Sequence, residues 1–169
     1  VSGLSDDMRP GDIARVSESG AIAFRAAFEG DPPPPAERYW RGPVLTRFDG
    51  RSWRPGPSRR QDQPFYQSSG IARPYTLTLE PHNQHWLLAM DFPGPADGFV
   101  YGDDFRLLSR EPVRNRLRLE LVAHPATPVG LAEDPRTLRE ALALPPGFNP
   151  RTRALGEQLR AAAERADDI

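Results

Sequence analysis

The sequence predicts a mainly β fold, with antiparallel strands arranged as a sandwich or as barrel-like sheets and one or two helices at the C-terminal end. Two observations lead to this prediction. Apolar and polar residues alternate in short runs between about residues 21 and 129, and Gly, Pro and Asp separate those runs. Helical spacing appears only in the stretch that follows. We therefore divide the 169 residues into a lead-in segment at 1–20, a β-rich domain at 21–129 and a helical tail at 130–169.

The first predicted strand covers residues 21–28, where every second residue from Ile22 to Phe28 is apolar. Four successive prolines at 32–35 end this strand and predict a stiff, extended connector. Residues 54–73 are rich in Pro, Arg, Gln and Ser, which predicts a long surface loop.

A hairpin is predicted around Asp49 and Gly50, because an Asp-Gly pair between two β-rich runs is a strong turn signal. Trp40 and Trp53 lie on the two sides of this turn in the sequence. Aromatic residues at such positions often form cross-strand pairs, so we expect these two rings to meet across the hairpin.

Five further strands are predicted in the second half of the β region. They cover residues 74–80, 85–90, 99–101, 105–108 and 113–123. Gly102, Asp103 and Asp104 separate two of them and predict a second hairpin. In the last strand, arginines alternate with leucines between residues 114 and 119. We expect those arginines to form the solvated face of the strand rather than a phosphate-binding stripe.

The helical tail contains two helix starts of the same type. Asp134 precedes Pro135 and Asn149 precedes Pro150, which places a capping side chain before a proline at the first helical position. The second helix, predicted over residues 150–166, carries only a narrow apolar stripe. Such a helix usually requires a partner surface to be stable.

Composition excludes several kinds of function. The sequence contains no cysteine, so it has no thiolate nucleophile, disulfide or sulfur-ligated metal. All 22 basic residues are arginines and the formal net charge is −1, which gives no general attraction for nucleic acid. No apolar run approaches the length of a membrane span, so we expect the fragment itself to be soluble. We also expect no cofactor and no metal.

The sequence contains residues for two kinds of candidate site. Tyr39, Trp40, Trp53 and Trp86 form a candidate binding surface, because aromatic rings stack on sugars, although strand aromatics are more often core residues. On that basis the domain is a module for cell-wall glycan or peptide. The three histidines support a second alternative, an independent hydrolase or a zinc site. They are His82, His85 and His124, and the spacing of the first two is a weak metal signal.

Three stretches are more specific than these physical patterns. They are residues 3–55, 75–91 and 144–161, and the first contains Tyr-Trp-Arg-Gly-Pro-Val and Phe-Asp-Gly-Arg-Ser-Trp. Together they resemble the bacterial membrane-bound transglutaminase-like family typified by TgpA. The resemblance implies a periplasmic region that begins with a non-catalytic β-rich part and continues into a papain-like core.

In that family a cysteine, a histidine and an aspartate perform acyl transfer from glutamine. The resemblance therefore implies that the parent protein is a transglutaminase-like acyltransferase or a cysteine protease. Because this sequence has no cysteine, none of its residues is assigned a catalytic role. The resemblance implies an accessory domain whose partner is the transglutaminase-like core of the same polypeptide, with a periplasmic protein or peptide as the possible substrate. It also implies a location at the periplasmic face of the inner membrane, attached only through the parent's spanning helices.

Overall fold

The structure, a computed structural model, describes residues 8–9, 20–131 and 133–162. Its strands all lie in the stretch where alternation was predicted. They are β1 (Phe24–Phe28), β2 (Trp40–Arg41), β3 (Arg47–Phe48), β4 (Trp53–Arg54), β5 (Arg60–Gln61), β6 (Arg73–Leu79), β7 (Trp86–Leu87), β8 (Ala89–Met90), β9 (Phe99–Gly102), β10 (Leu107–Ser109) and β11 (Leu117–Ala123). A 3-10 turn at Pro35–Glu37 follows the proline run.

The strands form four antiparallel sheets, in the orders β1-β6-β11, β5-β9-β10-β7, β2-β8 and β3-β4. This confirms the predicted mainly β, antiparallel class. Each sheet is open within the described residues, so the barrel-like alternative does not apply. The lead-in segment lies mostly outside the described residues.

The central strand β6 shows why the alternation was informative. Tyr75, Leu77 and Leu79 are buried on its inner face, while the threonines between them are only half-buried. Both neighbouring strands pair with β6 in antiparallel register, and Leu77 lies opposite Ala26 on one side and Leu119 on the other. Three strands therefore bury one apolar face each against the same core. The first strand begins at Phe24, two residues later than the exposed Ile22.

The predicted strand at residues 85–90 is two strands. β7 pairs with β10 and β8 pairs with β2, with Leu88 at the break between them. Every residue from Trp86 to Met90 is buried, so alternation could not locate the break. The predicted surface loop at 54–73 also contains β5, which pairs with β9 and forms the edge of a sheet.

The expected pairing of Trp40 with Trp53 is wrong. Trp53 lies opposite Phe48 across the Asp-Gly turn, and their rings stack with centroids 4.9 Å apart. Trp40 lies in a different sheet, opposite Met90, and packs against Phe24, whose ring centroid is 4.9 Å away. The two hairpins were predicted correctly, around Asp49-Gly50 and between β9 and β10.

Two helices follow the sheets, as the start signals predicted. They are α1 (Pro135–Ala141) and α2 (Pro150–Ala162). The carboxylate of Asp134 accepts a hydrogen bond from the backbone N–H of Arg136, which caps α1. Neither helix buries a residue among those described. No helix in the described ranges is both long and apolar enough to cross a bilayer.

Three tyrosine hydroxyls bond to the backbone of one segment; Tyr75 and Tyr101 are buried and Tyr66 is half-buried. The hydroxyl of Tyr75 accepts from the N–H of Met90 at 2.9 Å. Tyr66 and Tyr101 each donate a 2.7 Å hydrogen bond to a carbonyl, those of Pro93 and Gly94 respectively. Burial raises the pKa of all three phenols, because the charged phenolate would lose its hydration.

We predict that stability falls in alkaline solution. The folded pKa of each buried tyrosine lies above its unfolded value, so the folded state binds more protons above about pH 10. The free energy of unfolding should then decrease by up to about 1.4 kcal/mol per pH unit for each buried phenol. Urea denaturation between pH 8 and pH 11 measures this slope.

The variant Tyr101→Phe should reduce the slope, because one raised phenol is lost. The variant Tyr39→Phe is the matched control, since that ring is 61% exposed. An equal slope in the wild type and in Tyr101→Phe would contradict the prediction.

Candidate functional site

Residues 90–94, the hub segment, form hydrogen bonds to several strands of the β region. The N–H of Asp91 donates to the carbonyl of Tyr39, and the N–H of Gly94 donates to that of Val122. The carbonyl of Phe92 accepts from the N–H of His124. With the three tyrosine hydroxyls, these bonds connect the hub segment to β2, β6, β9 and β11. The backbone N–H and C=O groups that follow β8 therefore find hydrogen-bond partners inside the domain.

At the centre of this segment Asp91 forms a bidentate ion pair with Arg41. Nε of Arg41 donates to Oδ1 at 2.9 Å, and Nη2 donates to Oδ2. The side chain of Arg41 is 20% exposed and that of Asp91 is 9% exposed. Arg41 lies on β2, opposite Ala89 of β8, so the sheet register brings its guanidinium to the end of β8, where Asp91 follows. This two-point geometry is the strong form of the arginine–carboxylate interaction.

Aromatic rings surround the Arg41 guanidinium. Its carbon lies 5.3 Å from the ring centroid of Tyr39, 5.7 Å from that of Phe105 and 5.9 Å from that of Phe92. Tyr66 packs edge-on against both phenylalanines. The rings provide cation–π contacts to the guanidinium. Because the chain's own cation already occupies this cage, the cluster is a structural centre of the fold.

A second ion pair supports the same region. Arg106 is buried and pairs with Asp104 through Nη2 at 2.6 Å, and its Nε donates to the same carboxylate at 2.8 Å. This pair stabilises the β9–β10 turn that presents Phe105 to the cage. Phe105 itself adopts a positive φ of 68°, an uncommon conformation for a bulky side chain. The turn is therefore held by charge and packing rather than by backbone preference.

Burial and the ion pair together shift the pKa values of Asp91 and Arg41. It raises the pKa of Asp91 above its ordinary value, and the hydrogen bond and charge of Arg41 offset only part of that effect. For Arg41, burial acts to lower the pKa, but the bond to Asp91 and its charge outweigh burial and raise the pKa. Both groups are therefore costly to leave without a partner.

The four predicted aromatic site residues do not lie together. Tyr39 is exposed beside Arg41, while Trp86 is 2% exposed and stacks on His82 inside the domain. The surface role proposed for Trp86 is therefore wrong. Trp40 and Trp53 are half-buried in separate sheets, and no two of the three indoles form a ring contact in the described part of the chain. Binding of a ligand by Tyr39, Trp40 or Trp53 stays a prediction.

The three histidine side chains have different neighbours. His82 accepts from the N–H of Gln84 through Nδ1, and Nδ1 of His85 lies 3.0 Å from the carbonyl oxygen of Ser109. The ring of His124 lies beside Gly94. Every ion pair between two described residues joins an arginine to a carboxylate. The structure gives no support to a hydrolase based on these side chains.

The helical tail presents the main exposed apolar surface. Large apolar side chains are at least 40% exposed at seven positions between residues 131 and 159. They are Leu131, Leu138, Leu142, Leu144, Phe148, Leu155 and Leu159. Exposed large apolar side chains are thus concentrated in this part of the described chain.

The sequence did not identify the Arg41–Asp91 centre, because the two residues are 50 positions apart and each lies in an ordinary context. One signal was present in the Tyr-Trp-Arg motif, where an arginine follows two aromatic residues at the start of a strand. For the tail, the sequence predicted a narrow apolar stripe on α2 that requires a partner surface.

Together these features define the class: an open, antiparallel β domain with a charged centre and an unpartnered helical surface. A model of the TgpA N-terminal domain matches residues 1–130. The chain therefore belongs to the TgpA family and corresponds to its N-terminal domain.

Relatives of known sequence and structure agree with this assignment. A protein-glutamine gamma-glutamyltransferase from Pseudomonas aeruginosa is 39% identical over 165 residues, which are 96% of this chain and 25% of that protein. The crystal structure of the periplasmic domain of TgpA from P. aeruginosa has a TM-score of 0.88 and 37% identity, covering 98% of this chain and 58% of that one. The crystal structure of the same domain bound to ethylmercury has a TM-score of 0.88 and 37% identity, covering 98% of this chain and 59% of that one. The chain thus spans a quarter of the length of the transferase.

We predict that Arg41→Met destabilises the domain by about 3–5 kcal/mol at pH 7, because it leaves a buried carboxylate without its partner. Chemical denaturation measures the loss. Part of it should be recovered as the pH falls towards 4. The pKa of Asp91 in the folded state lies above its unfolded value. Such a group contributes stability that is present at low pH and is lost as the pH rises through its folded pKa.

The matched control is Arg116→Met, which removes an exposed arginine paired with Glu80 and should cost less than about 1 kcal/mol. Equal losses for the two variants would show that the Arg41–Asp91 pair has no special role in stability.

Proposed function

We propose that this chain is a non-catalytic accessory domain of a larger, membrane-anchored transglutaminase-like polypeptide, located at the periplasmic face of the bacterial inner membrane. It packs against the catalytic core of that polypeptide and shapes one side of the substrate cleft. The substrate would be a periplasmic protein or peptide that carries a reactive glutamine.

One observation carries this proposal: the chain aligns over almost its whole length with only a quarter of a protein-glutamine gamma-glutamyltransferase. Acyl transfer of the transglutaminase type needs a thiolate that attacks the glutamine amide. The 169 residues contain no cysteine. The nucleophile must therefore be supplied by another part of the proposed polypeptide.

The tail supports a role in packing against a core. Leu155 and Leu159 are one turn apart on α2 and are 54% and 44% exposed. A helix with this apolar stripe gains stability from a partner surface. The related periplasmic domain contains further chain beyond the part that this domain covers, and that further chain is the proposed partner.

A domain exchange tests the proposal. Replacing the corresponding residues of the P. aeruginosa transferase with this chain should preserve transfer of a labelled primary amine to a glutamine peptide. Leu155→Glu together with Leu159→Glu should reduce that activity of the chimera at least about tenfold, because two charges would be buried at the proposed contact.

The matched control is Glu157→Gln, an exposed position between the two leucines in sequence but on another side of the helix. It should leave the chimera active. Transfer activity in this chain alone, or full activity of the double variant, would refute the accessory role at this surface.

A further inference from the structure

The turn of the β3–β4 hairpin is closed by its own aspartate. Oδ1 of Asp49 accepts hydrogen bonds from the N–H groups of Arg51 at 2.9 Å and Ser52 at 2.7 Å. These two bonds lower the pKa of Asp49, because they stabilise the carboxylate. Gly50 has a φ of +100°, which L side chains rarely adopt. The turn is therefore a fixed shape in the folded chain.

Phe148 of the tail contacts this turn. A Cβ atom added at Gly50 would lie 2.5 Å from Cδ1 of Phe148 and within 2.8 Å of two further ring atoms. The ring thus lies against the glycine's α-carbon at a distance that no other residue would permit. Phe148 occupies the loop between α1 and α2.

The rest of the tail gives little anchorage. The helices bury no residue, and no hydrogen bond or ion pair between two described residues joins the range 133–162 to the range 20–131. The polar contacts given for the tail are internal, such as those of Arg136 with Glu140 and of Arg153 with the carbonyl of Leu144. The phenyl ring of Phe148 is therefore a contact that can help to set the direction of α2.

The same hairpin holds a segment from the other end of the chain. The N–H of Met8 donates to the carbonyl of Trp53 at 3.0 Å, and the N–H of Trp53 donates to the carbonyl of Met8 at 2.8 Å. Met8 thereby extends the two-stranded sheet at β4. Both flanks of the β domain meet at these few residues.

We propose that the Phe-Asp-Gly-Arg-Ser-Trp hairpin is an intramolecular docking platform, on which Phe148 fixes the helical tail and to which the backbone of Met8 is paired. Gly50 is then required for docking as well as for the turn. The consequence for the orientation of a catalytic core rests on the proposed function, but the docking itself belongs to this chain alone.

Amide hydrogen exchange of the purified chain tests the platform. In Phe148→Ala, exchange over residues 150–162 should accelerate about tenfold, the change expected when the contact of its ring with the turn is lost. Exchange in β6 and β11 should not change. Leu142→Ala is the matched control, an apolar truncation in the same tail at a side chain that is 76% exposed.

A second variant separates docking from strain in the turn. Gly50→Ala should also accelerate exchange of the tail, because its methyl group displaces the ring. In the double variant Gly50→Ala with Phe148→Ala, tail exchange should be no faster than in Phe148→Ala alone.

Unchanged tail exchange in Phe148→Ala, or fully additive effects of the two substitutions, would overturn the platform. Neither result would bear on the accessory role, which is tested by the activity of the chimera. Conversely, a failed chimera with a docked tail would reject the proposed function and leave the platform intact.

Discussion

The buried pair of Arg41 and Asp91 is the constraint around which the β region is arranged. Two opposite charges have been removed from water at the point where β8 ends, and they are tolerated only because the geometry is bidentate and the surroundings are aromatic. The adjoining backbone is bonded to four strands, so a shift of this segment would break contacts in three sheets at once. The domain thus has a hydrogen-bonded polar centre within its apolar core, an arrangement that favours one specific packing.

The helical tail has the opposite character. Its large apolar side chains remain largely exposed, and the hydrogen bonds and ion pairs between its described residues are internal to the tail. The ring of Phe148 lies against Gly50. Elements with few buried contacts open at low free energy unless a partner covers them. A rigid β body that carries a lightly attached apolar arm is suited to assembly with a second body. This contrast between the two halves supports the accessory role proposed above.

Local sequence patterns were sufficient for elements whose two faces differ. The strands at β6 and β11 and the starts of α1 and α2 follow from alternation and from Asp-Pro and Asn-Pro pairs. Patterns failed where both faces are buried, as at Trp86–Met90, because uniform burial removes the alternation. They also failed for Trp40, because its partner depends on the order of strands in the sheet. Strand order cannot be inferred from a short stretch of sequence.

The two most distinctive motifs share one explanation. In Tyr-Trp-Arg the arginine is required by Asp91, and in Phe-Asp-Gly the glycine is required by both the turn and the ring of Phe148. Each motif lies in a short strand that contributes little stability through its own ladder. The residue types in these motifs are therefore fixed by partners that are distant in the sequence. A resemblance based on them carries information about tertiary packing, which explains why it identified the family while local physics identified only the class.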